Sequence, residues 1–145
     1  MPWGGVLILV PFKYTASSYG CHYCSKALEA IAVKIEFSNK CLIIINVYLP
    51  PSFFSEVNFL SEFKLYFDGL NLLNKDFVIV GDFNFPYIDW NNETLFKFNV
   101  FNEQLLNFCL LNSLSQVVAE PTRGNKILDL AFVNHCDIVE RFYIT

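Results

Sequence analysis

Phe77-Val78-Ile79-Val80-Gly81-Asp82-Phe83-Asn84 decides how the rest of the chain is read. An unbroken apolar run meets a glycine, and an acid and an amide follow at alternate positions. An apolar run bounded by a turn residue predicts a strand covered on both faces. Open α/β sheets present their reactive groups beyond the ends of such strands. In an extended segment Asp82 and Asn84 point to the same side. A carboxylate and a carboxamide placed there can hold a hard cation, or a water against a phosphate. Gly81 lets the backbone come close to whatever lies beside it.

Upstream, residues 41–49 form a second apolar run, ended by Pro50-Pro51 because proline cannot donate to a ladder. Residues 29–37 alternate, with Ile31, Val33, Ile35 and Phe37 set against Ala30, Ala32, Lys34 and Glu36. That pattern predicts a strand with one wetter face. The Ser38-Asn39-Lys40 turn pairs it antiparallel with the run that follows. From residue 52 to 73 the period lengthens. Val57, Leu60, Phe63 (or Leu65), Phe67 and Leu70 make a helical stripe, with Gly69 and Asn71 as stop signals. Strand, helix and the 77–81 strand then form a unit of the kind that builds a parallel pair.

Further on, residues 85–94 read as a polar, aromatic loop in which Trp90 is an anchor and Asp89 a cap. A second helix is predicted over 99–111, with Phe101, Leu105, Phe108 and Leu110 or Leu111 inward. A short strand over 116–119, a loop over 121–126 and a strand over 127–134 follow. Residues 5–11 read as a strand and 13–26 as a polar loop. No internal repeat or boundary interrupts the pattern, and 145 residues predict one domain.

Composition excludes some classes. Hydrophobic residues are 54% and charged ones 17%, which is not the make-up of a disordered chain. A net charge of −4 comes with no visible basic stripe, which counts against tight autonomous DNA binding but less against a nuclease with an acidic centre. The 16 phenylalanines read largely as compositional bias, since Phe53, Phe54, Phe96 and Phe98 sit where leucine would serve. The apolar runs fall short of the roughly 18 residues a membrane span needs. Met1-Pro2-Trp3-Gly4-Gly5 lacks a basic n-region and a cleavage site, so the expected setting is intracellular. Cys21-His22-Tyr23-Cys24 suggests zinc, but no second ligand pair is spaced to complete a site, and a loop with reduced thiols is the better reading. Cys41 and Cys109 read as small core residues, His22 and His135 as surface histidines.

Gly81-Asp82-Phe83-Asn84 resembles the central motif of the endonuclease/exonuclease/phosphatase superfamily of metal-dependent phosphodiesterases. Asn46-Val47-Tyr48-Leu49-Pro50-Pro51, Ile88-Asp89-Trp90, Pro121-Thr122-Arg123 and Leu128-Asp129-Leu130 follow the order and spacing of non-LTR retrotransposon endonuclease domains. The likeness runs from about Gly4 to about Asn134. It implies an incomplete four-layer α/β sandwich, two packed mixed β-sheets flanked by helices, as one partial domain over residues 1–145.

The resemblance also assigns roles. Asp82 orients and deprotonates the attacking water and contacts the metal, Mg²⁺ or Mn²⁺. Asn84 holds that water and a phosphate oxygen, and Tyr48 turns its hydroxyl to the scissile phosphate. Asp129 orients a catalytic histidine; Thr122 and Arg123 make supporting or substrate contacts. On their own, Asp82 and Asn84 also read as an Asx-turn, Tyr48 as a packed strand-end ring and Thr122-Arg123 as a solvated loop. Asp129, in an apolar strand, must face water or a cleft, because a buried lone carboxylate is costly.

Relatives begin with strands that carry an Asn and a metal-binding Glu, and they end on an Asp-His pair. This text starts downstream of the former and stops before the latter, with His135 too early to serve. The expectation is therefore a domain truncated at both ends and impaired as a DNA endonuclease, nuclear where functional. Exposed sheet edges would invite association. A catalytically dead interaction domain and a phosphatase of the same superfamily are the alternatives.

Overall fold

The computed structural model describes residues 5–50 and 59–141. In chain order the elements are β1 (Thr15–Ser18), β2 (Tyr23–Cys24), β3 (Glu29–Phe37), β4 (Lys40–Tyr48) and α1 (Phe59–Gly69). They continue with β5 (Phe77–Asp82), β6 (Ile88–Asp89), β7 (Thr94–Leu95), α2 (Val100–Leu111), β8 (Ser115–Gln116), β9 (Asp129–Val133) and α3 (Ile138–Arg141). A seven-stranded sheet runs β1-β3-β4-β5-β9-β8, with β2 also paired to β3, and β6-β7 form a second, two-stranded sheet. β4 and β5 are parallel, as the strand–helix–strand pattern predicts, and the other ladders are antiparallel. A large mixed sheet, a smaller sheet and helices make up the expected α/β architecture.

The two faces of the large sheet differ. On one, Ala30, Ala32, Ile43, Ile45, Val47, Phe77, Ile79, Leu130 and Phe132 share a core with Phe59, Leu60 and Phe63 of α1 and Leu105, Phe108 and Cys109 of α2. The opposite face carries Ile31, Val33, Ile44, Val78, Val80 and Ala131, all half-buried. Ile138 of α3 closes only one end of it, against Leu42 and Val133.

The phenylalanines are less arbitrary than composition suggests. Phe63 meets Phe83 edge-on at 6.1 Å and Phe108 at 5.2 Å; Phe67 meets Phe77 at 5.7 Å; Phe132 lies 5.4 Å from Phe83 and 5.3 Å from Trp90. Tilted and edge-on pairs of this kind contribute beyond their buried area. Phe96 and Phe98, 62% and 73% exposed, lie outside that network. Phe53, Phe54 and Val57 lie outside the described residues.

In α1 the inward choice falls on Phe63, because Leu65 is exposed. Asn99 caps α2, its Oδ1 accepting from the amides of Phe101 and Asn102 at 2.9 and 3.3 Å. Leu106 and Cys109 take the inward places expected of Leu110 and Leu111, which are exposed. Residues 5–11 form no ladder, although Val6, Ile8 and Val10 are half-buried between exposed neighbours. The Asn46 amide donates to the Leu7 carbonyl there at 3.0 Å. The polar stretch 13–26 contains β1 and β2. β1 is exposed at every position and held by its ladder to β3, so it carries no hydrophobic signal.

Candidate active site

Three of the expected residues stand in one row. Tyr48 is the register partner of Asp82 across β4–β5, and Asp82 is the partner of Asp129 across β5–β9. Register partners project from the same face, so Tyr48, Asp82 and Asp129 lie side by side at one end of the half-covered face. Gly81 permits this closeness: a Cβ built on it would lie 1.8 Å from the Val47 carbonyl oxygen.

Both oxygens of Asp82 are engaged. Oδ1 accepts from the Asn84 amide at 3.2 Å, and Oδ2 accepts from Arg123 Nη2 at 3.0 Å. Asn84 departs from the alternation expected for an extended segment. β5 ends at Asp82, and Asn84 adopts φ 52°, so the two side chains are related by an Asx-turn. The Asn84 carboxamide donates to the Leu49 carbonyl at 2.9 Å and ties the ends of β4 and β5 together.

The loop before β9 positions Arg123. The Thr122 amide donates to the Lys126 carbonyl at 2.9 Å, Arg123 and Lys126 exchange backbone bonds of 3.0 Å, and Gly124 turns at φ 60°. Thr122 Oγ1 accepts from the amides of Leu128 and Asp129, each at 3.0 Å. Its hydroxyl thus holds the start of β9, the strand that carries Asp129. The guanidinium of Arg123 is directed back onto Asp82.

A recess of 280 Å³ opens beside Asn84, lined also by Phe85, Tyr87, Phe101 and Leu128. Asn102, only 4% exposed, lines it too, and its Oδ1 has no partner among the described residues. Nothing in the sequence distinguishes a first-turn amide of this sort from a surface one. Asp89 and Trp90 behave as expected. Asp89 accepts from the Asn91 and Asn92 amides at 3.1 and 3.3 Å, and Trp90 packs on Phe132. A side-chain bond from Asn92, with smaller help from the two amides, holds the Asp89 carboxyl below its usual range. His135 sits at the other end of β5, its Nε2 4.0 Å from Asp76. Among the described residues no three His, Cys, Asp or Glu side chains gather as a metal group, and Cys21 and Cys24 are free and exposed. Nor is any described helix long and apolar enough to cross a membrane.

Residues 42–142 match the family model described as endonuclease-reverse transcriptase. The chain belongs to that family. The matched span holds all six expected site residues. The fold is also similar to that of the endonuclease domain of TRAS1, a telomere-specific non-LTR retrotransposon, with a TM-score of 0.58 at 14% identity. The likeness covers 85% of this chain and 55% of that one, so the chain spans little more than half of the solved domain. None of the curated proteins matches. Membership in the endonuclease-reverse transcriptase family agrees with the likeness read from the motifs around Tyr48, Asp82 and Asp129.

Proposed function

We propose that the chain is a phosphodiester-hydrolysing domain of endonuclease type, one partial domain over residues 1–145, with DNA as its ancestral substrate in the nucleus. The observation that carries this is the register row of Tyr48, Asp82 and Asp129 beside Asn84 and Arg123. A water seated between Asp82 and a phosphate would lose its proton to the carboxylate as its oxygen bonds to phosphorus. The phosphorus–oxygen bond to the leaving sugar then breaks, and the departing alkoxide takes a proton from solvent water. Tyr48 presents its hydroxyl to a phosphate oxygen, Thr122 holds the loop, and Asp129 would orient an imidazole. Arg123 has a gating part. Guanidinium pairs with phosphate as readily as with carboxylate, so an entering phosphate draws it off Asp82 and frees Oδ2.

Mg²⁺ or Mn²⁺ is the cofactor that family likeness suggests. The described residues do not fit it: Asp82 is occupied by Arg123 and the Asn84 amide, and no third ligand joins Asp82 and Asp129. Hydrolysis by this chain alone is therefore expected to be feeble. Supercoiled plasmid incubated with either cation tests both parts. Trace nicking that disappears in Asp82→Asn is the expected outcome. Equal nicking by both proteins removes the site, and vigorous nicking abolished by Asp82→Ala removes the impairment.

A catalytically dead interaction domain is the second reading, favoured by the closed Asp82–Arg123 pair. It expects no turnover, and a binding partner indifferent to Asp82→Asn.

A further inference from the structure

We infer that the β6–β7 ribbon and the loop before β9 form a stacking track for single-stranded nucleic acid, built by Tyr87, Phe96, Lys97 and Lys126. The choice of partner rests on the nuclease reading; the track rests on its own geometry. Phe96 is 62% exposed and Tyr87 39%, and the Phe96 amide donates to the Tyr87 carbonyl at 2.8 Å, which fixes the two residues as neighbours. Lys97 Nζ stands 5.7 Å from the Tyr87 ring centre, and Lys126 Nζ stands 4.8 Å from that of Phe96. Lys126 is bonded backbone to backbone with Arg123, whose guanidinium reaches Asp82. The loop that aims Arg123 at Asp82 thus also sets Lys126 over the ring of Phe96.

Exposed rings interleaved with cations recognise one class of polymer. Every base has a π-face, and every nucleotide brings a phosphate within reach of the adjacent ammonium group. An ammonium over an exposed ring is held only weakly, so a base can take the ring while the lysine turns to the backbone. Neither acid of the ribbon opposes this: Asp89 is turned into the Asn91-Asn92 turn, and Glu93 lies toward Leu106 and Cys109 of α2. Residues far apart in sequence supply the cations, which is why no basic stripe is visible in a chain of net charge −4. A duplex, whose bases are already stacked, would leave the rings unused.

The test uses the full chain, in EDTA to exclude hydrolysis, with a fluorescent 12-mer oligothymidylate and a duplex of the same length followed by anisotropy. Phe96→Ala and Phe96→Leu should each weaken single-strand binding by about five- to a hundred-fold, and Phe96→Trp should restore it. Lys97→Gln and Lys126→Gln should each lower the slope of log affinity against log salt by about 0.7. Lys13→Gln serves as a matched control, because Lys13 also lies over a ring, Tyr14 at 5.0 Å, and next to β1 at the far sheet edge. It should change nothing.

Wild-type affinity in Phe96→Leu, unaltered slopes in both lysine variants, or preference for the duplex would each overturn the track. Tight binding that ignores Phe96 yet responds to Arg123→Ala removes the track and leaves the nuclease site standing. Failure to bind either oligonucleotide at low salt removes both.

Discussion

At the scale of single residues, Gly81 does more for the site than any side chain in it. Its place opposite Val47 brings two parallel strands close enough for Tyr48 and Asp82 to stand abreast. A methyl group there would meet a backbone carbonyl at 1.8 Å, and that oxygen cannot move without shifting β4. The backbone at φ 154° adds strain for any residue with a Cβ. Gly81→Ala should therefore cost about 3 kcal/mol, measured as a lowered urea midpoint with an unchanged slope. A midpoint within error of wild type would mean that the strands part without penalty. Asn84 teaches a related lesson. Its place beside Asp82 was legible, but its direction was not, because alternation assumes that the strand continues. The strand ends at Asp82, and the side chain turns to the Leu49 carbonyl.

At the scale of elements, legibility follows burial. β4, β5, α2 and β9 announce themselves by a buried periodic face, and α2 adds the Asn99 cap. β3 shows its alternation, but the face sealed in the core is that of Ala30 and Ala32, while Ile31 and Val33 lie half-buried on the other. β1 and β2 were not legible: Thr15–Ser18 is wholly exposed, so ladder hydrogen bonds and not hydrophobic alternation hold it. The β6–β7 ribbon was hidden for another reason. It is two residues a side, and its turn is held by the Asp89 carboxylate and not by a glycine turn. That carboxylate gives the ribbon a pH dependence whose sign is fixed. Its folded pKa lies below the ordinary value of 3.8, so its contribution is complete above that value and is lost as pH falls through the lower one. The gap in thermal midpoint between wild type and Asp89→Ala should be open at pH 7 and narrow progressively as pH falls below 3.8. A gap that persists undiminished in acid would show that the carboxylate's charge plays no part in the turn.

At the scale of the whole molecule, the large sheet spends its two faces differently. One is sealed by α1, α2 and the phenylalanine network; the other, half-covered, carries the carboxylate row at its end. Stability should therefore concentrate on the sealed face, and Cys109 gives a direct gauge of it. Burial pushes the Cys109 thiol up to about 12, and it pushes the Tyr66 phenol to about 12 as well. Groups with raised folded pKa values contribute fully below their unfolded values, so stability should decline as pH rises above about 8.5, where an unfolded thiol ionises. Because the thiolate is the nucleophile, a disulfide reagent at pH 8 should label exposed Cys21, Cys24 and Cys136 at once and Cys109 only through opening. Phe132, 1% exposed between Phe83 and Trp90, joins β9 to that core. Phe132→Ala should cost about 3–5 kcal/mol, a large share of the 5–15 kcal/mol typical of a whole domain. Cys109 labelling should then accelerate at least a hundred-fold wherever opening limits it, since 1.4 kcal/mol is about tenfold in population. Phe96→Ala, on the solvent side of the ribbon, should leave the labelling rate within twofold of wild type. If Phe132→Ala left it there too, the sealed face would not be the seat of stability, and the row on the opposite face would need some other foundation.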